Sequence, residues 1–129
     1  MKVKELIDKH PKIFQDYEGN PGRINWLDLP DGWVTHVDYL CSAIQSYIDS
    51  TVYYKDGVEV KCPQVTCTQI KEKFGELRFY YIGGNDIIEG MVEMTTYLCS
   101  ITCQKCGSMK QANKQVIYGW ISIICENCK

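Results

Sequence analysis

Two cysteine pairs carry the clearest chemistry in this chain. Cys103-Gln-Lys-Cys106 is followed, eighteen residues later, by Cys125-Glu-Asn-Cys128. Two C-x2-C hooks at this separation match the spacing of a tetrahedral Zn²⁺ site, each hook offering two thiolates from one tight turn. Gly107 follows the first hook, where a knuckle needs backbone that tolerates positive φ. Four sulfurs leave no coordination position for water, so the predicted zinc is structural. Cys99 lies one helical turn before Cys103 and Cys41 sits in an apolar stripe; both read as core thiols. Cys62 and Cys67, with four residues between them, read as structural thiols, with a second metal or redox pair as the open alternative.

Other reactive patterns are scarce. The two histidines, His10 and His36, have no sequence neighbour at ligand or triad spacing. No H-E-x-x-H, G-x-S-x-G or Walker pattern occurs, and no histidine stands beside the hooks to activate water. The sequence therefore points to a protein that is not an enzyme. A second candidate site is the run from Lys71 to Tyr81. It interleaves Lys71, Lys73 and Arg78 with Phe74, Phe79, Tyr80 and Tyr81. Cations beside aromatic faces suit a ligand with a phosphate and a stacking ring. On the second strand Arg78 and Tyr80 share one face, and Phe79 and Tyr81 the other. The same alternation also describes a half-buried hairpin with a wet charged face. The candidate ligand-binding residues are thus Lys71, Lys73, Phe74, Arg78 and Tyr80.

These residues need a scaffold. Residues 2–10 predict a short helix with Val3, Leu6, Ile7 and His10 on one side, stopped by Pro11. Residues 15–32 are rich in Gly, Pro, Asn and Asp and predict a loop, although Ile24, Trp26, Leu27 and Leu29 must pack somewhere. Asp31 is the expected N-cap of a helix reaching about Ser50, with Trp33, Val37, Leu40, Cys41, Ile44, Tyr47 and Ile48 as its stripe. Residues 53–62 suggest a hairpin around Lys55-Asp56-Gly57. Strands at 65–73 and 77–82 are joined by Phe74-Gly75-Glu76, with Gly75 at positive φ. Gly83-Gly84 breaks the chain, and from Asp86 a second amphipathic helix places Ile88, Met91, Val92, Thr95, Leu98, Cys99 and Thr102 on one side. Between the hooks, Val116 to Ile124 is apolar on both alternating faces, which predicts a ribbon packed on the main domain or on another subunit.

The chain has 129 residues and a formal charge of −2, the size of one domain with a small appended module. No signal peptide is evident and no apolar run would span a membrane. Eight cysteines without an export signal predict a reducing, cytoplasmic compartment. Residues 83–102 hold Asp86, Glu89 and Glu93 and no base; residues 103–129 hold Lys105, Lys110, Lys114 and Lys129 against Glu126. Four thiolates and one Zn²⁺ reduce that positive end to about +1, so nucleic acid is not the favoured partner on charge alone.

The order of these pieces resembles a family. Asp31-Gly32-Trp33 opens a helix, the string Ile70-Lys-Glu-Lys-Phe-Gly-Glu-Leu-Arg-Phe-Tyr-Tyr81 follows, then an acidic amphipathic helix. Cys103-Gln-Lys-Cys-Gly107, Gly119-Trp120 and Cys125-Glu-Asn-Cys128 complete the set. This resembles small zinc-ribbon proteins of phages, prophages and bacteria, over about residues 31–128. Some relatives end in a Cys/His hook, where this chain is all-Cys. The resemblance implies zinc and a phage-type context in a bacterial host cell, and by analogy a role in host defence or transcription. The expected fold is α+β: two main helices, a small antiparallel sheet, and a four-cysteine zinc ribbon (residues 103–129) packed on a core domain (residues 1–102). The expected function is a non-enzymatic, zinc-containing binding protein. It would take a host protein or a small anionic, nucleotide-like ligand at Lys71–Tyr81, for example in counter-defence. The alternative is a nucleic-acid-binding regulator using Lys105, Lys110 and Lys114 beside Trp120. Homo-oligomerisation is compatible with both.

Overall fold

The structure is a computed structural model that describes residues 1–15 and 27–129. Helix α1 (Val3–Lys9) packs Leu6 into the core. Of the predicted loop at 15–32, residues 16–26, including Ile24 and Trp26, lie outside the described residues. Strand β1 (Leu27–Asp28) leads to a short 3-10 turn at Asp31–Trp33 and then to α2 (Val34–Ser50). Strands β2 (Val52–Lys55) and β3 (Val58–Lys61) form the hairpin expected around Asp56-Gly57. Strands β4 (Thr66–Lys73) and β5 (Glu76–Ile82) form the central pair, α3 (Asp86–Cys99) follows, and β6 (Asn113–Ile117) and β7 (Trp120–Ile124) make the hairpin of the ribbon.

The architecture is the expected α+β arrangement, with three helices, small antiparallel pairs and the four-cysteine cluster. Four details differ from the sequence reading. Asp31 does not cap α2: it opens the 3-10 turn, its side chain caps nothing, and α2 starts three residues later. The central sheet has the order β1-β4-β5, and β1 is parallel to β4, with Leu27 opposite Ile70 and Asp28 opposite Lys71. The β4–β5 connection has only two residues. Phe74 and Gly75 both have positive φ (55° and 78°), so Glu76 belongs to the strand. This is the turn whose twist matches a two-residue hairpin. Finally, residues 116–124 are not one strand. Tyr118 and Gly119 turn the chain (φ 50° and 80°), so Val116 faces Ile121 and Ile117 faces Trp120.

One continuous core joins the parts. Trp33 from the 3-10 turn and Val37, Leu40, Cys41 and Ile44 from α2 meet Leu6, Ile13 and Phe14 from the N-terminal segment. They also meet Val65, Cys67, Ile70, Leu77 and Phe79 from the sheet and Ile88 and Cys99 from α3. The predicted stripes of α2 and α3 thus face inward as their 3.6-residue period requires. Asn85 caps α3, its side-chain oxygen accepting from the backbone N–H of Ile87 and Ile88. Among the described residues no helix is long and apolar enough to cross a membrane.

Candidate metal centre and binding surface

The chain enters the first hook from the end of α3. Thr102 is fully buried there and is held on three sides. Its hydroxyl donates to the Leu98 carbonyl at 2.6 Å, its carbonyl accepts from Trp33 Nε1 at 2.8 Å, and His36 Nε2 lies 2.9 Å from its Oγ1. Burial lowers the His36 pKa, which favours the neutral ring in this polar knot. The first knuckle then closes on itself, Cys103 N donating to Ser108 O at 2.8 Å and Gly107 N to Cys103 O at 3.0 Å. The ribbon strand is tied in by Gln104. Its backbone N–H donates to Ile123 O at 2.8 Å, and its side-chain oxygen accepts from Ile123 N.

The knuckle is also clasped to the core. Gly32 N donates to Gln104 O at 2.8 Å. A carbon added at Gly32 would overlap the Cys103 carbonyl oxygen and lie 2.7 Å from the Gln104 carbonyl carbon. Position 32 therefore needs glycine for space. The Asp-Gly-Trp motif works as this clasp: Gly32 admits the knuckle and Trp33 holds Thr102.

Folding brings Cys103, Cys106, Cys125 and Cys128 together, with all four sulfurs within 4.8 Å of one another. Cys106 Sγ and Cys125 Sγ are 3.6 Å apart. A tetrahedral centre with metal–sulfur bonds of about 2.3 Å needs sulfurs about 3.8 Å apart, so the cluster has the dimensions to hold one metal ion. Cys103 and Cys125 are buried, Cys128 half-buried and Cys106 exposed. Burial alone would raise the Cys103 thiol, but hydrogen bonds from the backbone of Cys106, Cys125 and Lys105 outweigh it and bring it down to about 6. Cys128, hydrogen-bonded to Cys125 and Cys106, is pushed up to about 12. Metal binding would expel the thiol protons.

The other thiols stand apart from this cluster. Burial drives the Cys41 thiol up beyond the normal range, and Cys67 and Cys99 up to about 12. Cys62 donates to the Pro63 carbonyl at 3.6 Å. Among the described residues none of the four belongs to a second group of three or more metal-ligating side chains.

The hairpin residues occupy the positions their alternation implies. The register sets Lys71 opposite Arg78, Gln69 opposite Tyr80 and Lys73 opposite Glu76, so these side chains share the outer face. Phe79 and Tyr81 lie on the inner face with ring centroids 5.7 Å apart. Phe74, at the turn, is 60% exposed, and Lys73 Nζ sits 5.6 Å from its ring centre. Arg78 Nη2 pairs with Glu76 Oε2 at 2.9 Å, yet its Nε is buried without an acceptor. Neither Lys71 nor Lys73 ion-pairs with a carboxylate among the described residues.

The ribbon hairpin packs on the domain through its base only. Ile123 and Ile124 are buried and Ile121 is half-buried, whereas Val116 (73%), Tyr118 (97%) and Trp120 (76%) project into solvent. A contact links the two hairpins: a carbon built at Gly75 would meet Ile123 Cδ1 at 3.2 Å and Ile121 Cγ2 at 3.3 Å. The β4–β5 turn therefore lies against the base of the ribbon finger. Sequence spacing could not show this, because the contact joins a turn to a strand 46 positions away.

Both histidines find hydrogen-bond partners through the fold, far along the chain. His10 Nε2 lies 2.7 Å from Asp38 Oδ1, and Lys9 Nζ occupies Asp38 Oδ2 at 3.0 Å. Both His10 and Asp38 are buried. This cluster ties α1 to α2. The pair are 28 positions apart in the chain, and only the helix packing brings them together. No protein-family model, curated protein or solved structure matches the chain.

Proposed function

We propose that this is a zinc-containing, non-enzymatic binding protein that takes an anionic, nucleotide-like ligand on the outer face of β4 and β5. The metal suited to four clustered thiolates in a closed site is Zn²⁺, and its role would be to brace the ribbon and not to activate water. One observation carries the ligand reading: Lys71 and Arg78 stand directly opposite each other in register, with Lys73 two residues along the same face. Like charges at facing strand positions are destabilising. Asp28 stands in register beside Lys71 and Glu76 beside Lys73, but the one ion pair formed among these residues is Arg78 with Glu76, and Arg78 Nε still lacks an acceptor. A phosphate is a group that would satisfy both cations, with Arg78 as the forked donor and Phe74 or Tyr80 as a stacking surface. The resemblance to small phage proteins supports a site of action in the cytoplasm of a bacterial host, with a host process as the target.

Calorimetric titration of the zinc-loaded protein with pyrophosphate and with a nucleoside triphosphate tests this reading. Arg78→Ala and Lys71→Ala should each weaken binding by about ten- to a hundredfold, the value of a charge-assisted contact, while the melting temperature stays nearly constant. Equal binding by wild type and both variants, or no binding by wild type, would retire the outer face as a ligand site.

A further inference from the structure

We infer that the protein pairs with a second copy of itself across the groove between α2 and α3, on a two-fold axis that seats Tyr39 and Met94 of each protomer over Ala43 and Gly90 of the other. The inference stands apart from the ligand reading above and uses a different face. The groove has a volume of about 410 Å³, and no Lys, Arg, Asp or Glu lines it. Its α3 wall comes from a second stripe on that helix. Ile88, Val92, Thr95 and Cys99 turn towards the core, and Ile87, Met91, Met94 and Leu98 repeat their spacing one position earlier. This i, i+4, i+7, i+11 spacing is the seam by which one helix packs on another. Within the chain the second seam is only partly used: Ile87 and Met94 are 57% and 58% exposed.

Gly90 lies inside α3, where glycine is the poorest helix former after proline. A carbon added there meets nothing within 4 Å, so no contact among the described residues requires the glycine. It leaves a hole on the helix surface one turn from a knob, Met94. α2 repeats the pattern, with exposed Ala43 one turn from Tyr39, which is 67% exposed. All four residues line the groove. The two helices run antiparallel: Asn85 Nδ2 donates to Tyr47 Oη at 2.9 Å near one end, and His36 meets Thr102 near the other. At about 1.5 Å of rise per residue, the midpoint of Tyr39 and Ala43 is roughly level with that of Gly90 and Met94. Both knobs therefore lie towards one end of the groove and both holes towards the other. A two-fold axis across the groove at that level exchanges the ends, and every knob meets a hole. An unrelated partner would need no such relation between the two spacings.

Charge and area agree with this pairing. An isologous contact sets a patch against itself, so any charge in it would face its like. The groove lining has none. Burial and the charges of Glu89 and Glu93 together raise the Tyr81 pKa, which puts these carboxylates on the sheet side of α3 and away from the groove. Tyr39, Ile87, Met94 and Tyr97 are 57% to 67% exposed. At roughly 200 Å² for a full side chain of this size, they supply about 500 Å² per copy. The pair would bury about 1,000 Å², the size at which a specific interface begins.

The test is sedimentation equilibrium of the full, zinc-loaded chain from about 1 µM to 1 mM, the range of weak to moderate association. The mass should rise with concentration from that of one chain towards that of two. Met94→Glu and Gly90→Lys should each weaken the pairing about tenfold or more, since each change enters the interface twice. Both positions are exposed in the single chain, and unchanged metal content would show that the variants fold. At low concentration Gly90→Lys should melt no lower than wild type, because α3 gains a better helix former. The two variants mixed should pair with each other more tightly than either pairs with itself, because the axis brings position 94 of one chain to position 90 of the other. Trp120→Ala, on the ribbon finger, should leave the pairing unchanged. A single-chain mass throughout would overturn the inference, as would a pair that Trp120→Ala abolishes and Met94→Glu leaves intact. No gain on mixing would overturn the two-fold seating and the inference with it. A chain that stays single while its groove takes up indole, read from the shift of the Met94 methyl resonance, would overturn it in favour of a small apolar ligand.

Discussion

Replacing Gly32 by alanine should unlatch the ribbon from the core. The added methyl carbon would overlap the Cys103 carbonyl oxygen and press on the Gln104 carbonyl. Both obstacles are backbone, so no side chain can rotate aside to make room. The knuckle must move away, and the Gly32 N–H to Gln104 carbonyl bond at 2.8 Å is lost with it. That bond contributes about 1 kcal/mol net, and overpacking at a tight contact costs about 1–3 kcal/mol. The expected destabilisation is therefore about 2–4 kcal/mol, against a total on the order of 5–15 kcal/mol for a domain. At this chain length it corresponds to a fall in melting temperature of roughly 10 °C. Denaturant titration of the zinc-loaded protein would measure the first quantity. A chelator competition would measure the second effect, easier loss of metal from a knuckle without its backing. Gly90→Ala is the control. It lies within α3 with nothing near the added carbon, so it should stabilise by about 0.5–1 kcal/mol through helix propensity alone. A Gly32→Ala protein that unfolds at the wild-type midpoint and holds metal equally well would refute the clasp.

Three further outcomes are expected. Zinc-loaded protein should carry one metal per chain, and Cys125→Ser should lose it and unfold residues 103–129; elemental analysis without zinc in protein purified free of chelator would sink the assignment. Iodoacetamide should label none of the buried Cys41, Cys67 and Cys99 thiols in the folded state, since burial holds them protonated. Mass spectrometry after chelation should then show added label confined to the hooks, and Cys99→Ala should cost about 1 kcal/mol with unchanged metal content. Burial raises the Asp38 carboxyl, but the His10 hydrogen bond and Lys9 outweigh it and hold it below its ordinary 3.8. Its stabilising contribution is therefore complete above that value and lost as pH falls through the lower folded-state value. Asp38→Asn should remove that part of the acid-unfolding limb; an unchanged acid limb would show that the cluster is not the group being titrated.

What the sequence disclosed was local. The hooks announce themselves because their ligands are three residues apart within each turn, and the stripes of α2 and α3 follow from a period that any buried helix must keep. The outer and inner faces of β5 follow from alternation in the same way. What remained hidden depends on register or on packing between distant segments. The opposition of Lys71 and Arg78 exists because the turn uses two residues; with Glu76 in the connection, the facing pairs would change. Asp31-Gly32-Trp33 resembles a helix cap, and only the seated knuckle reveals why the middle residue has no side chain. His10 finds Asp38 through helix packing, which no spacing rule contains. The exposed outer half of the ribbon finger was concealed by a run of apolar residues that resembles a single buried strand until Tyr118 and Gly119 turn it.

The joint between Trp33 and Thr102 spans 69 positions of chain, and this separation has a kinetic meaning. Closing so long a loop costs chain entropy before any contact repays it. The latch is therefore expected to form late, after α2 and α3 have paired, and metal capture should then act as the step that commits the structure. Before that step the ribbon amides would exchange with solvent while those of the helical core stay protected. Hydrogen exchange with and without metal should show the Gly32, Gln104 and Ile123 amides slowing together on metal addition, as one cooperative unit that reaches across from the ribbon into the core.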